Sequence, residues 1–142
     1  MGDFIWTDAR DPHVARRRAI LKQCPQVREL FGIDPTLKYT LVLLAALQIL
    51  LADLSPRLPV WGFLLLAYAG GATIAQVLFL GIHEATHDLA FRRRSSNNWL
   101  AIVANVPLVF PMAMLFRKYH AMHHWEQGRD QVDIDIPSRV EA

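Results

Sequence analysis

Hydrophobic positions along the chain fall into blocks rather than into a regular alternation. Residues 1–36 are polar and mixed, with Arg16-Arg17-Arg18 and turn formers at Asp11-Pro12 and Asp34-Pro35. Scattered apolar positions between residues 14 and 31 (Val14, Ile20, Leu21, Val27, Leu30, Phe31) predict a short amphipathic helix broken at Pro25. The plainer expectation is a solvated basic helix lying on anionic headgroups. Residues 37–54, LKYTLVLLAALQILLADL, then make an apolar run long enough to approach a span of the ~30 Å hydrocarbon core.

Ser55-Pro56-Arg57-Leu58-Pro59 reads as a tight turn. Residues 60–82 read as a second span, with Trp61 at its entry, where an interfacial aromatic belongs. Gly70-Gly71-Ala72 offers a small-residue face for close helix packing. Backbone groups in lipid must be satisfied internally, which favours a helical hairpin over strands. A third apolar stretch, residues 99–116, is interrupted by Pro107 and Pro111. Two prolines four residues apart break the hydrogen-bond ladder, so this stretch is expected to lie in the interface or re-enter it rather than cross. The fold class expected is an all-α integral membrane protein. It consists of a hairpin of two transmembrane spans plus a proline-broken interfacial segment.

Composition strengthens the membrane reading. Of the 142 residues 53% are hydrophobic and 20% charged, against roughly 25% charged in soluble domains, and between residues 37 and 82 the only full charges are Lys38, Asp53 and Arg57. The pI near 9.0 invites a nucleic-acid partner. The net charge, however, is only +2, and the basic residues cluster beside the apolar segments instead of forming one stripe, so none is expected. The single cysteine, Cys24, excludes an intramolecular disulfide framework. A charged N-terminus without an apolar core predicts no cleavable signal peptide. Met1-Gly2 brings myristoylation to mind, but Trp6 stands where that motif needs Ser or Thr. Arg57 alone of the 15 basic residues falls on the loop joining the two spans, so the positive-inside rule assigns both outer flanks to the cytosol.

Of the 6 histidines, all but His13 sit in two tight groups, and His13 reads as a surface residue. The first group is His83-Glu84-Ala85-Thr86-His87, where i, i+4 spacing puts both rings on one helix face. The second is His120-Ala121-Met122-His123-His124, again one face. Imidazole suits iron, zinc and copper, and a neutral ring is available near pH 7. The first group also satisfies H-E-x-x-H, the zinc-protease signature in which Glu84 would be general base. That reading leaves His120, His123 and His124 without a purpose. Five imidazoles on two helix faces, expected to converge on one volume at the cytosolic membrane boundary, suit two metals, with positions left for dioxygen.

Other residues narrow the match. Asp3-Phe4-Ile5-Trp6-Thr7-Asp8, Pro12-His13 and Arg16-Arg17-Arg18-Ala19-Ile20-Leu21 resemble the N-terminal region of sphingolipid Δ4-desaturases (dihydroceramide desaturases), within the membrane fatty-acid desaturase and hydroxylase superfamily. So do Ala104-Asn105-Val106-Pro107, Phe116-Arg117-Lys118-Tyr119-His120 and Asp133-Ile134-Asp135-Ile136-Pro137. H-x-x-x-H and H-x-x-H-H are shared across the superfamily, whereas the N-terminal block and Asp-Ile-Asp-Ile-Pro are more specific. The resemblance divides the chain into a cytosolic N-terminal region, residues 1–36, and the N-terminal part of the desaturase domain, residues 37–142.

The resemblance implies a di-iron oxidoreductase of the endoplasmic reticulum membrane. It would use O2 and electrons from NADH, delivered by cytochrome b5 and its reductase, to convert dihydroceramide to ceramide at C4 of the sphingoid base. It further implies that His83, His87, His120, His123 and His124 are iron ligands and catalytic. Glu84 and Asp88 are either acceptors that orient ring N–H groups or plain helix-surface residues. Asp130, Asp133 and Asp135 either close the site, contact the lipid headgroup or form a solvated turn. Arg92, Arg93 and Arg94 anchor a helix end on anionic lipid, with docking of cytochrome b5 as the second reading. Alternatives to Δ4-desaturation are a C4-hydroxylase, a membrane zinc protease and a non-catalytic membrane partner of a complete enzyme.

One departure stands out. The family carries a third box, another H-x-x-H-H after a further pair of spans, and this sequence has none. An incomplete metal site is therefore expected, and with it an inactive chain when alone, with poor stability or oligomerisation on expression by itself.

Overall fold

The computed structural model describes residues 12–129 and 132–137. Residues 1–8, Arg10, Asp130 and Arg139, which carry parts of the reading above, lie outside the described residues. Every regular element among the described residues is helical. The chain forms two compact units, one of residues 1–32 with 117–142 and one of residues 33–116.

In the first unit, helix α1 (Pro12–Gln23) stops before Pro25, and a 3-10 helix follows over Pro25–Leu30. The residue preceding a proline is pushed out of the α region, and Cys24 accordingly sits at φ −128°. The expected amphipathic character is absent: Val14, Ile20 and Arg16 to Arg18 are all exposed. Four residues separate Ile20 from Arg16, so apolar and basic side chains share one face of the helix instead of opposing it. The plainer reading, a solvated basic helix, describes α1. The Arg17 guanidinium lies 5.9 Å from the centre of the Phe31 ring, which ties the two helical pieces by a cation–π contact.

The second unit is built on α2 (Leu37–Leu54), α3 (Val60–Leu65), a π-helical stretch over Leu66–Ala72, α4 (Thr73–Thr86) and α5 (Arg94–Asn105). Helix α6 (Ala113–Glu126) begins in this unit. Two helical stretches, Leu37–Arg57 and Val60–Thr86, are long and apolar enough to cross a membrane, joined through Leu58 and Pro59. Their outward residues are apolar: Leu43 is 69% exposed, Leu65 68% and Trp61 81%. Such a surface would be a liability in water and is the ordinary state of a helix facing lipid.

The interior is narrow and made of small side chains. Helix α2 contributes Leu41 and Ala45, α4 contributes Leu78, Ile82 and Ala85, and α5 contributes Leu100, Ala101 and Ala104. These follow i, i+3, i+4 spacing on each helix, so three stripes face one another. Association of apolar helices in lipid relies on close packing rather than on exclusion of water. At Gly81 the approach is closest, since a Cβ there would collide with the buried Leu41 side chain.

Two buried asparagines shape the connections around α5. Asn97, fully buried, accepts the N–H groups of Ala90 (3.1 Å) and Phe91 (3.0 Å) through Oδ1 and donates to the carbonyls of Phe91 (2.7 Å) and Arg93 (3.0 Å). Asn105 accepts the N–H groups of Met112 (2.9 Å) and Ala113 (2.7 Å), and so caps α6 from across the turn. That turn contains the 3-10 helix Val106–Leu108, Pro111 and an exposed Val109 at φ +66°, a conformation β-branched residues rarely adopt.

Candidate functional site

The first histidine group sits at the end of the second apolar helix. His83 and Glu84 lie in the last turn of α4, and His87 is the residue that ends it, at φ −85° and ψ 7°. The expectation of two rings on one helix face is met with His87 at the terminus instead of within the helix. The two rings meet edge to face with centres 4.8 Å apart, and each offers a nitrogen within 4.8 Å of the other's. His83 Nδ1 lies 2.9 Å from Glu84 Oε1, and its ring is tilted 6.0 Å from Phe116, itself edge-on to Phe79. Thr86 Oγ1 donates to the His83 carbonyl at 2.6 Å.

Beyond His87 the chain turns sharply. The N–H groups of His87, Asp88 and Leu89 close back on the carbonyls of Glu84 and Ala85, with Asp88 at φ +61°. Asn97 then holds residues 90–93, and the Leu89 carbonyl accepts the Asp34 N–H at 2.8 Å. Asp34 in turn accepts both the N–H (2.8 Å) and the hydroxyl (2.6 Å) of Thr36 at the start of α2. The Thr36 hydroxyl, then its amide, hold the Asp34 carboxyl below the usual aspartate range, with a smaller contribution from the Leu37 amide.

The second group lies within α6 and is held differently. His120 and His124 approach through their Nε2 atoms, 3.0 Å apart, with ring centres at 4.5 Å. Two facing imidazole nitrogens at that separation need a shared proton or a shared cation. Imidazole nitrogens bind a metal at about 2.0–2.1 Å, so the spacing is compatible with both touching one ion. His123 stacks 5.9 Å from His120 but turns its Nδ1 to Asp133 Oδ1 at 2.8 Å. Asp135 Oδ2 lies 3.6 Å from His120 Nδ1.

Asp133 is buried, with 3% of its surface exposed. Burial pushes its carboxyl up, yet the Gly128 amide, the His123 ring and the Asp135 amide together hold it below the usual range. The solvated-turn reading of the aspartates therefore fails for Asp133, while Asp135 is exposed. Arg92, Arg93 and Arg94 are exposed as well. Sequence reasoning missed Asn97 altogether and named Asn105 only within the Ala104-Asn105-Val106-Pro107 resemblance, without its capping role. It named Asp133 within the Asp-Ile-Asp-Ile-Pro block and as one aspartate among three, without distinguishing its role from that of Asp135.

The model of the family described as "Fatty acid desaturase" matches residues 57–141, and that described as "Sphingolipid Delta4-desaturase (DES)" matches residues 1–36. The chain thus belongs to the fatty acid desaturase family. A sphingolipid delta(4)-desaturase DES1-like protein of Oryza sativa subsp. japonica is 44% identical over 140 residues, covering 99% of this chain and 43% of that protein. A sphingolipid delta(4)-desaturase of Candida albicans is 41% identical over 144 residues, covering 100% and 39%. A protein of Homo sapiens named sphingolipid delta(4)-desaturase/C4-monooxygenase is 40% identical over 143 residues, covering 99% and 44%. The chain thus spans about two-fifths of the length of these curated relatives. No solved structure matches it. Its two apolar helices and its family together make it a membrane protein.

Proposed function

We propose that this chain supplies two of the histidine boxes of a sphingolipid Δ4-desaturase, an O2-dependent di-iron oxidoreductase that converts dihydroceramide to ceramide. The reading is carried by one observation: relatives named sphingolipid delta(4)-desaturases align with it from end to end. Support from the residues is chemical. His83, His87, His120, His123 and His124 are nitrogen donors of the kind iron accepts, and the Nε2 pair of His120 and His124 at 3.0 Å fits a common cation. The same five are the residues proposed as catalytic. Bound iron would supply the O2-dependent removal of hydrogen from an unactivated methylene, chemistry no ordinary side chain provides.

The chain's own contribution is to hold and to orient. Neutral imidazoles bind the metal, and Glu84 Oε1, 2.9 Å from His83 Nδ1, fixes the direction of that ring. The distribution of basic residues puts the N-terminus and both boxes on the cytosolic side, and the endoplasmic reticulum is what the resemblance to sphingolipid Δ4-desaturases implies. The proline-broken segment over residues 99–116 lies in the interface or re-enters it on this reading, and Arg92 to Arg94 rest on anionic lipid. Electrons arrive from NADH through cytochrome b5 and its reductase. C4-hydroxylation is the second reading, favoured by the human relative whose name includes C4-monooxygenase. Both reactions begin by removing hydrogen from a sphingoid-base methylene.

The test replaces the aligned portion of the Oryza relative with this chain and assays dihydroceramide in microsomes, alongside the chain alone. Ceramide formation by the chimera, lost in its His120→Ala and His124→Ala forms and absent from the chain alone, is the expected result. A 4-hydroxylated product would move the assignment to the second reading. Two outcomes overturn both readings: a folded chimera that holds no iron, or one that holds zinc and cleaves peptides in a Glu84-dependent way.

A further inference from the structure

Asp133 has every feature of a group built for one neighbour. A carboxylate at neutral pH only accepts hydrogen bonds, and this one is almost wholly buried. Its Oδ1 accepts from His123 Nδ1 at 2.8 Å and from the Asp135 N–H at 3.1 Å, while Oδ2 accepts the Gly128 N–H at 3.0 Å. Two backbone amides from opposite sides of the loop therefore clamp the carboxylate before the ring reaches it. Gly128 sits at φ +79°, and that left-handed turn at the end of α6 brings its N–H round to Oδ2. To swing out as a metal ligand or toward a lipid headgroup, Asp133 would have to break all three of these hydrogen bonds.

We propose that Asp133 is the positioning residue of His123, holding its ring in the Nδ1–H tautomer so that Nε2 carries the lone pair that meets the metal. In water the neutral ring of histidine prefers the opposite tautomer, with the proton on Nε2. The buried acceptor reverses that preference, and it also stops the ring from rotating about its own axis. Asp135 does not do the same for His120, because 3.6 Å is beyond a hydrogen bond and Asp135 is exposed. The inference rests on the reading of His123 as a metal ligand. Its first test does not.

That test uses the full 142-residue chain in detergent micelles, metal-free, with 15N in the histidine rings and the His123 signals identified through His123→Gln. The wild-type His123 is expected to show a protonated Nδ1 and a bare Nε2, and Asp133→Asn to move the proton toward Nε2. A wild-type ring already protonated at Nε2, or one indifferent to Asp133→Asn, overturns the proposal without any need for metal. Cobalt(II) titration then reads the consequence. Asp133→Asn is expected to weaken binding about 10–100-fold, with no further loss when added to His123→Gln. Losses that multiply in that background would make Asp133 a merely structural residue and overturn the proposal. A wild-type chain that binds no cobalt would instead sink the metal-ligand reading, and the ring spectra would still judge Asp133.

Discussion

The two histidine groups share a spacing and are held by different means. His83 and His87 are placed by backbone: one is in the last turn of α4, the other ends it, and the chain beyond is pinned by Asn97 and by Asp34 at the head of α2. His120, His123 and His124 lie in the C-terminal half of α6, the last two in its final turn, and the control on His123 is a single carboxylate ten residues further on. The first arrangement is rigid to the extent that the helical core is rigid. The second depends on one loop, so one substitution can alter one ring and leave the others in place. The i, i+4 spacing brings imidazoles together, while ring orientation comes from whatever surrounds them.

The largest effect expected in separating the two is that of Asn97→Leu. It leaves the buried Ala90 N–H, the half-buried Phe91 N–H and two carbonyls without their side-chain partner, at about 1–3 kcal/mol for each buried group left unsatisfied. A loss of at least about 3 kcal/mol follows, read as a lower Tm in detergent. The ring signals of His83 and His87 should shift while those of His123 do not. Equal disturbance of both groups would break the comparison. Next comes Gly81→Ala, two residues before His83, where the new methyl meets Leu41. Overpacking of this kind costs about 1–3 kcal/mol, and adding Leu41→Ala should recover part of it, because the two changes touch.

The smallest effect is a pH response at Asp34. Its carboxyl is held below the ordinary aspartate value of about 3.9, so its cap on α2 contributes fully above that value. The contribution is lost as the pH falls through the depressed folded value. The Thr36 amide shift followed by NMR should titrate with a midpoint below about 3.9, and Asp34→Asn should abolish the change. A midpoint at or above the ordinary value would remove Asp34 from the supports of the first group.

Much of this was legible from local pattern. The first apolar run and α2 coincide at residues 37–54, and the second begins at Val60 as expected. The helix runs past the apolar span to Thr86, as the i, i+4 spacing of His83 and His87 requires. The histidine groupings were visible because helix periodicity is local. The roles of Asn97 and Asn105 were not, since a buried asparagine looks in sequence like any exposed one, and only the fold shows which backbone groups need it. Asp133 was hidden among neighbouring acids for the same reason. The expected apolar face of α1 failed because Arg16 and Arg17 stand four residues before Ile20 and Leu21 and so share their face.

The π-helical stretch at Leu66–Ala72 carries a consequence of phase. An α-helix advances about 100° per residue, and a π segment holds one more residue in its turn than the surrounding helix would. Everything downstream is thereby rotated against a uniform helical wheel drawn from Val60. His83 and His87 point where they do because of a surplus residue near Gly70-Gly71, more than a dozen residues before the first of them. A relative that has lost that residue would need a compensating insertion before residue 83 to keep its histidines on the same azimuth. Length within this span is thus an angular coordinate of the site.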